Sequence, residues 1–160
     1  MNSITINPIG FVEINDDGFA LRIASSFRPG LKELAGFSHI HVLFWCHYLD
    51  TEEYRRFVTC PKPYRDAPET VGVFATRSPV RPNPLGLSIC PVLNIQAKEG
   101  LIRLAYLDAE DGSPVVDLKP YHPAVDRVRD AGVPAWCSHW PRWYEDAATF
   151  DWEAEFVNAR

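Results

Sequence analysis

The sequence predicts an all-β fold, a small β-barrel of about seven short strands with a few short helices. Apolar stretches recur as short runs interrupted by Pro, Gly, Asn and Asp, which is the pattern of strands joined by turns. The chain also contains 14 prolines, and prolines disfavour long helices. Its 160 residues suit one domain with a single core. Because closure removes the exposed edges of short strands, a barrel or a sandwich is expected.

The predicted strands follow the apolar runs in chain order. Gly18 and Gly100 each follow a short polar stretch and can supply the positive φ that hairpin turns require. Pro91 cannot donate a ladder hydrogen bond, so its strand should lie at an edge or carry a bulge there. The seven predicted strands are 9–14, 19–23, 39–48, 71–76, 87–95, 101–107 and 115–118.

Two short helices are predicted between these strands. Asp50 or Thr51 can cap a short helix that continues through Phe57, because their side-chain oxygens accept hydrogen bonds from first-turn amides. The Pro-Gly pair at 29–30 precedes at most one helical turn, over residues 31–34.

The composition is that of a soluble globular protein, with 46% apolar and 23% charged residues. The N-terminus lacks a basic segment followed by a long apolar run, and no window reaches the about 20 apolar residues of a membrane span. We therefore expect a cytoplasmic protein with no membrane partner. The four cysteines form no CxxC pair, so we expect them to behave as small hydrophobic residues.

The charge is unevenly distributed along the chain. The formal net charge of −5 argues against indiscriminate nucleic-acid binding through a wholly basic surface. The tail beyond Tyr144 is acidic, whereas the stretch from Tyr54 to Pro82 is basic. A local basic face and a set of solvated loops are both compatible with this pattern. The basic stretch contains Arg55, Arg56, Lys62, Arg65, Arg77 and Arg81 against Asp66 and Glu69.

A stiff, polar loop is predicted at residues 76–86, TRSPVRPNPLG. Its three prolines restrict the backbone, so Arg77 and Arg81 would offer fixed donors for a carboxylate, a phosphate or a base edge. The alternative is a rigid connector with solvated arginines. Rigid loops that carry polar groups are frequent binding sites, and we therefore favour a functional loop.

A second polar segment covers residues 106–121. Asp108 follows a predicted strand and can accept hydrogen bonds from ribose hydroxyls or from an amine. Asp117 and Lys119 alternate with apolar residues, so both side chains should lie on one side of a strand, either in a site or as a structural ion pair. Tyr121 offers a phenol and a stacking face beside a fixed proline.

These two segments resemble the signature of the TsaA-like family. The motifs are FATRS at 74–78, RPNPLG at 81–86, DG at 111–112 and DLKPY at 117–121. PIG at 8–10, PGL at 29–31 and GFSHI at 36–40 also resemble the family pattern and occur in the same order. The resemblance covers roughly residues 5–126, within a single predicted domain of residues 1–160.

The resemblance implies a homodimeric β-barrel that binds S-adenosylmethionine near the subunit contact. The family includes a bacterial methyltransferase that acts on a threonylcarbamoyl-modified adenosine beside the tRNA anticodon. We expect Arg77 to bind the methionine carboxylate, Asp108 to bind the ribose or the amine, and the backbone near Leu107 to contact adenine. The cofactor contacts implied by position are Pro29, Gly30, Leu31, His47, Tyr48, Arg77, Leu87, Ala105, Tyr106, Leu107 and Asp108.

The resemblance further implies methyl transfer to a nitrogen, with a tRNA adenosine as the first expected substrate. Holding the reacting atoms in line would contribute much of the catalysis. An exocyclic adenine nitrogen is a weak nucleophile, so hydrogen-bond acceptors near its N–H groups should help. Asn83, Asp117 and Tyr121 are the candidate catalytic residues, although Asn83-Pro84 also suits a simple turn. Arg81 and Lys119 are expected to bind the substrate.

Several departures from the family pattern leave the substrate open. The chain stops at residue 160, whereas the bacterial enzyme carries a further C-terminal domain. Residues 135–160 here are rich in tryptophan. The aromatics at 135–144 could stack on bases or could cover the barrel end or the dimer contact, and we favour this packing role. His41 replaces a more usual aromatic, and Tyr48 replaces a longer polar residue. The alternatives are a non-catalytic S-adenosylmethionine sensor and a methyltransferase of a small molecule.

A metal site is a further alternative. His39, His41 and His47 have even spacings, which would place them on one face of an unbroken strand, and imidazole suits Zn, Ni or Fe. No carboxylate lies nearby in sequence, so we expect no metal.

Overall fold

The computed structural model of the chain describes residues 4–158, which form two compact units. The barrel unit comprises the residues up to Asp50 together with Pro84–Arg127. The second unit comprises Thr51–Asn83 together with the residues from Val128 onward. The prediction of one domain over residues 1–160 stays a prediction. Within residues 4–158, no helix is long and apolar enough to cross a membrane.

Eight strands form within residues 4–158, and the prediction of an all-β barrel is confirmed. Six of them close an antiparallel barrel in the order β1-β2-β7-β6-β3-β8, rather than about seven as predicted. β4 and β5 form a two-stranded sheet in the second unit. The strands are β1 (Gly10–Asn15), β2 (Gly18–Ile23), β3 (His39–Trp45), β4 (Thr59–Pro61), β5 (Thr70–Gly72), β6 (Leu85–Gln96), β7 (Leu101–Leu104) and β8 (Pro114–Pro120).

The helical segments are short, as the proline content predicts. Thr51 Oγ1 accepts a hydrogen bond from the Tyr54 N–H at 3.1 Å, but the N-cap of this 3₁₀ turn is Glu53, and the turn ends at Arg56 instead of continuing through Phe57. The α-helices are α1 (Pro123–Asp126) and α2 (Trp152–Glu155). The 3₁₀ turns are Ser25–Leu31, Leu34–Gly36, His47–Leu49, Tyr54–Arg56, Val73–Ala75, Ala135–Cys137 and Tyr144–Thr149.

Both predicted glycine turns are present. Gly18 has φ of 99° and Gly100 has φ of 71°, the left-handed region that glycine adopts at little cost. Gly18 pairs with Asn15, so two residues connect β1 to β2.

The alternation of side chains along β3 fills the barrel. Ile40, Val42 and Phe44 are buried in the interior, and the residues between them are half-buried on the outer face. The buried cluster inside the barrel consists of Val12, Leu21, Ile23, Leu31, Ile40, Val42, Phe44, Cys90, Ile102, Leu104, Leu107 and Val115.

The predicted strands 39–48 and 71–76 end earlier than expected. β3 ends at Trp45, because the chain turns into the 3₁₀ segment His47–Leu49. β5 ends at Gly72 instead of continuing to Thr76. The Thr76 hydroxyl donates to the Val73 carbonyl at 2.9 Å, and this bond closes a turn instead of extending the ladder.

Pro91 marks the point where β6 changes its partner. Pro91 lies opposite His39 of β3, whereas Val92 and later residues pair with β7. A bulge lies between Val92 and Asn94. Because the closed barrel leaves no edge here, a bulge accommodates the irregularity predicted at this proline.

An aromatic cluster forms the core of the second unit. Tyr64 is 7% exposed and stacks on Trp136 with ring centroids 5.5 Å apart, and Trp140 meets the same ring edge-on at 4.8 Å. Tyr64 also forms a backbone bridge with Phe156. Trp136 and Trp140 therefore pack within the second unit, whereas Trp143 is 57% exposed. That this segment covers the barrel end or the dimer contact stays a prediction.

Candidate cofactor and substrate site

The residues after β7 form a surface segment with a buried anchor. The predicted strand extension to Leu107 is wrong, because Leu107 turns inward and is buried in the barrel core. The Ala105 N–H donates to the Pro91 carbonyl at 3.0 Å, which fixes the segment where β6 changes partner. Ala105, Tyr106 and Asp108 are exposed. The segment thus presents polar and aromatic groups on a restrained backbone.

Burial, with smaller contributions from Asp108, raises two pKa values at this segment. Burial raises the pKa of the Tyr106 phenol, and the Asp108 charge raises it further. Burial also raises the pKa of the Cys90 thiol to about 11; a hydrogen bond with Ser88 opposes this increase, and the Asp108 charge adds a smaller one. Tyr106 therefore remains a protonated donor, held edge-on against Phe19 at 5.4 Å. Cys90 remains an uncharged thiol and is a poor nucleophile.

His47 and Tyr48 begin the 3₁₀ segment after β3, with ring centroids 3.9 Å apart. The buried Ser113 hydroxyl lies 3.3 Å from His47 Nδ1 and orients the imidazole. Tyr48 is 68% exposed. Sequence reasoning missed Ser113, because a small polar residue before Pro114 looks like an ordinary turn residue.

Pro29, Gly30 and Leu31 close the 3₁₀ segment after β2. Leu31 is 4% exposed and belongs to the same buried cluster as Leu107, whereas Pro29 and Gly30 are exposed. One core therefore anchors the segments 29–31 and 105–108. Leu87 lies instead on the outer face of β6 and is 45% exposed.

Asp117 and Lys119 lie on one side of β8, as predicted, and form an ion pair. Lys119 Nζ is 2.9 Å from Asp117 Oδ2, and Asp117 Oδ1 accepts from the Leu118 N–H at 2.9 Å. Across β3, Asp117 faces Leu43 and Lys119 faces His41. Of the two alternatives for Asp117 and Lys119, the structure therefore shows the ion pair.

Tyr121 follows β8 and lies beside two histidines of β3. The Tyr121 N–H donates to the His39 carbonyl at 3.0 Å, and its ring centroid is 5.7 Å from that of His41. His41 Nε2 is 3.1 Å from Asp126 Oδ1 in α1. A hydrogen bond from the His122 backbone lowers the pKa of Asp126, and the neighbouring His41 lowers it further. His41, which replaces an aromatic in the family pattern, thereby connects α1 to the barrel.

The three histidines considered as metal ligands do not converge. His39 and His41 occupy outer positions on β3, but His47 lies beyond the strand end, beside Ser113. Within residues 4–158, no group of three or more His, Cys, Asp and Glu side chains could hold a metal ion.

The proline-rich loop lies in the second unit up to Asn83. Arg81 Nη1 donates to the carbonyls of Thr76 and Ser78 at 3.4 and 3.5 Å, and Arg77 and Asn83 are exposed. Arg77, Arg81 and Asn83 thus belong to the second unit, and the other predicted site residues belong to the barrel unit. Their assignment to one site stays a prediction.

Two pockets are lined by other side chains. A pocket of about 360 Å³ in the barrel unit is lined by residues 35–38 and 92–95. A groove of about 760 Å³ in the second unit is lined by residues 52, 53, 56–59 and 61. None of the predicted site residues lines either cavity, so cavity volume does not single out the predicted site.

The barrel and its motifs match a known family. Residues 8–127 match the tRNA-methyltransferase O N-terminal domain. The chain belongs to this family. The resemblance that the motifs indicate is therefore confirmed.

Several relatives share the matched region. A tRNA (adenine(37)-N6)-methyltransferase of Escherichia coli is 38% identical over 105 residues, covering 64% of this chain and 44% of the relative. A probable S-adenosyl-L-methionine-binding protein of Methanothermobacter thermautotrophicus is 44% identical, covering 68% and 72%. A probable S-adenosyl-L-methionine-binding protein of Archaeoglobus fulgidus is 35% identical, covering 79% of this chain and 30% of that protein. This chain therefore corresponds to less than half of two of these proteins.

A solved structure shares the fold. The crystal structure of TrmO from Pseudomonas aeruginosa has a TM-score of 0.62 and 26% identity, covering 82% of this chain and 62% of that one.

Proposed function

We propose that this chain is an S-adenosylmethionine-dependent methyltransferase that modifies an adenosine in tRNA. The observation that carries the proposal is the family match over residues 8–127. Relatives from Escherichia coli and Eikenella corrodens, 38% and 44% identical, are named tRNA (adenine(37)-N6)-methyltransferase. The name S-adenosyl-L-methionine-binding protein among other relatives supports the cofactor.

The barrel unit carries groups that fit this cofactor. The Asp108 carboxylate can accept hydrogen bonds from ribose hydroxyls or from the amine, and Tyr106 offers a protonated phenol and an aromatic face. Leu87 offers exposed apolar surface. When bound, S-adenosylmethionine supplies a methyl group on a positively charged sulfur. We assign its binding to Pro29, Gly30, Leu31, His47, Tyr48, Leu87, Ala105, Tyr106, Leu107 and Asp108.

Three residues are proposed to act on the acceptor nitrogen. The amide oxygen of Asn83, the carboxylate of Asp117 and the phenol oxygen of Tyr121 can each accept a hydrogen bond from an N–H group. Such a bond orients the nitrogen and increases its electron density. Arg81 and Lys119 are proposed to bind the phosphates of the substrate, which fix its position but carry no sequence information.

The finer proposals are N6 of threonylcarbamoyladenosine as the acceptor and a homodimer as the assembly. The outer face of β3 and β6 supports a dimer, because Leu43 and Trp45 lie opposite Leu87 and Leu85 there. Leu87 is 45% exposed and the other three are half-buried, and an apolar patch on an outer face is typical of protein interfaces. Sedimentation equilibrium tests the assembly, and a monomer at micromolar concentration would contradict it.

The function is tested by incubating the protein with methyl-labelled S-adenosylmethionine and hypomodified tRNA, followed by nucleoside analysis. We expect label in an N6-methylated adenosine derivative. Label in another nucleoside would refute the N6 assignment. Methylation of unmodified A37 in tRNA lacking the threonylcarbamoyl group would refute only the finer substrate proposal.

Thermal unfolding tests the cofactor separately. At about 100 times the Kd, S-adenosylmethionine should stabilise the fold by roughly 2.7 kcal/mol, which raises the Tm by roughly 5–10 °C. Arg77→Ala should lose this shift, since Arg77 is proposed to bind the methionine carboxylate. Arg56→Ala is the matched control, because Arg56 is exposed and pairs with Glu52 at 3.6 Å. No shift at millimolar cofactor would refute the function.

A second candidate function is binding of S-adenosylmethionine without methyl transfer. The relatives named only as binding proteins favour it. A full thermal shift with no label transferred to any tRNA would support this alternative over the methyltransferase.

A further inference from the structure

The second unit has a phenylalanine ring, Phe74, that is largely exposed on its surface. Phe74 is 78% exposed, although it lies next to Val73, which is completely buried. The Phe74 ring lies 6.0 Å from the guanidinium carbon of Arg81. A single exposed apolar residue is ordinary on a protein surface. The adjacent cation makes this one different, because a ring and an arginine together suit a nucleobase and its phosphate.

The turn that carries Phe74 is held rigidly from within the second unit. The buried Thr76 hydroxyl donates to the Val73 carbonyl at 2.9 Å and accepts from the Ser78 N–H at 3.2 Å. The Arg77 backbone forms a hydrogen bond with the Tyr64 phenol in the aromatic core. The ring is therefore presented on a fixed support, and little conformational entropy is lost when a ligand binds it.

Arg81 retains the capacity to bind an anion. Its described contacts are the two long hydrogen bonds to backbone carbonyls, at 3.4 and 3.5 Å, and the Phe74 ring. Among the residues that the structure describes, no carboxylate forms an ion pair with Arg81. Arg55 donates to the Pro82 carbonyl at 3.4 Å, which brings another positive charge to the same loop. The surrounding stretch 54–82 has six basic residues and two acidic ones.

We propose that Phe74 and Arg81 form a nucleotide-binding platform for tRNA, with an unpaired base stacked on Phe74 and the adjoining phosphate bound by Arg81. RNA is the occupant that this chemistry favours, because unpaired bases offer flat apolar faces beside negative phosphates. A peptide partner would offer no such regular pairing of ring and anion. The inference rests on the proposed function for its ligand and adds a residue, Phe74, that holds the tRNA in place.

The test measures the affinity for end-labelled, hypomodified tRNA by fluorescence anisotropy in low salt. Phe74→Ala should raise the Kd for tRNA about tenfold, equivalent to about 1.4 kcal/mol. Phe74→Trp should retain the affinity because it keeps a stacking face. Phe74→Leu should behave like Phe74→Ala, since it keeps apolar bulk but removes the ring. Arg81→Ala should raise the Kd and make binding less dependent on salt.

Two controls match these variants. Phe11 is an exposed phenylalanine on β1 whose cross-strand neighbour Arg22 is already paired with Glu13 at 2.8 Å, so Phe11→Ala should leave the Kd for tRNA unchanged. Arg56→Ala removes an exposed arginine that already pairs with a carboxylate, and its effect should be smaller than that of Arg81→Ala.

The stabilisation by S-adenosylmethionine is measured on every variant and should not change in the Phe74 series. If the wild type binds tRNA in a Phe74-dependent way but transfers no methyl group, the proposed function is refuted and the platform is supported. Equal tRNA affinity of wild type and Phe74→Leu would overturn the platform, whether or not methyl transfer occurs. If Phe74→Ala fails to fold, the comparison of Phe74→Leu with Phe74→Trp decides the same question.

Discussion

Gly86→Ala tests how tightly the barrel interior is packed at the start of β6. Gly86 lies opposite Phe44 of β3, and Phe44 points into the core with 5% exposure. A Cβ atom added to Gly86 would collide with the Phe44 ring, coming within 2.6 Å of its Cε1 atom. The ring cannot leave without opening the core, so either the ring or the strand must shift.

The expected cost follows from overpacking, which typically destabilises a protein by about 1–3 kcal/mol. For a chain of this size, about 2 kcal/mol corresponds to a Tm decrease of roughly 4–8 °C. Phe44→Leu removes the colliding ring, so adding Gly86→Ala to Phe44→Leu should cost less than about 0.5 kcal/mol. The coupling free energy of this double-mutant cycle should therefore be about 1–2 kcal/mol.

Urea unfolding followed by tryptophan fluorescence measures each free energy. Gly36→Ala is the matched control, because no atom lies within 4 Å of a Cβ at Gly36 and Gly36 does not have a positive φ. The described packing would be refuted if the losses in free energy of unfolding for Phe44→Leu and Gly86→Ala were additive. It would also be refuted if Gly86→Ala were as stable as the wild type.

Three further predictions concern titratable groups. Burial raises the pKa of Glu155, but a 2.9 Å hydrogen bond with His139 and other partners hold it below the usual 4.5. The free energy of unfolding should therefore fall as the pH decreases below about 4.5. Glu155→Gln should flatten this pH dependence in urea titrations at several pH values. Asp108→Asn should lower the pKa of Tyr106 in an ultraviolet titration, because it removes a negative charge, and should weaken S-adenosylmethionine binding; an unchanged Tyr106 titration would contradict the described proximity. Cys90, fully buried with a pKa of about 11, should resist a disulfide reagent at pH 8 until the protein unfolds, and rapid labelling of Cys90 in the folded protein would contradict its burial.

Much of the barrel could be predicted because its signals are local. The strands β1, β2 and β3 coincide with short apolar runs, and Gly18 and Gly100 identify the β1–β2 and β6–β7 turns without any tertiary information. The prediction failed where a single side-chain hydrogen bond overrode the pattern. Val73 and its neighbours have the composition of a strand, but the Thr76 hydroxyl bonds to the Val73 carbonyl and ends the ladder. β4 was missed because three residues are too few to show a period.

The candidate site was predictable only in part, because several of its contacts join distant segments. The resemblance indicated the segment 105–108, but its anchoring by Leu107 depends on the closed barrel. The contact between His47 and Ser113 and that between His41 and Asp126 are equally remote in sequence. Each needs β3 to lie beside β8, and this neighbour relation follows from barrel closure and not from any local pattern.

Barrel geometry also bears on whether Asp117 can serve the proposed reaction while it is paired. Its two carboxylate oxygens already accept from the Leu118 N–H and contact Lys119, but a carboxylate has about four lone-pair positions and can accept further hydrogen bonds. The Lys119 and Asp117 side chains are 63% and 45% exposed, and exposed ion pairs contribute only about 0–1 kcal/mol. If the proposed substrate contact forms, a tRNA phosphate would therefore compete with Asp117 for Lys119 at little cost, and Asp117 Oδ2 would be free to accept another hydrogen bond. The proposed substrate contact of Lys119 and the proposed acceptor role of Asp117 are thus coupled, because forming the first makes the second available.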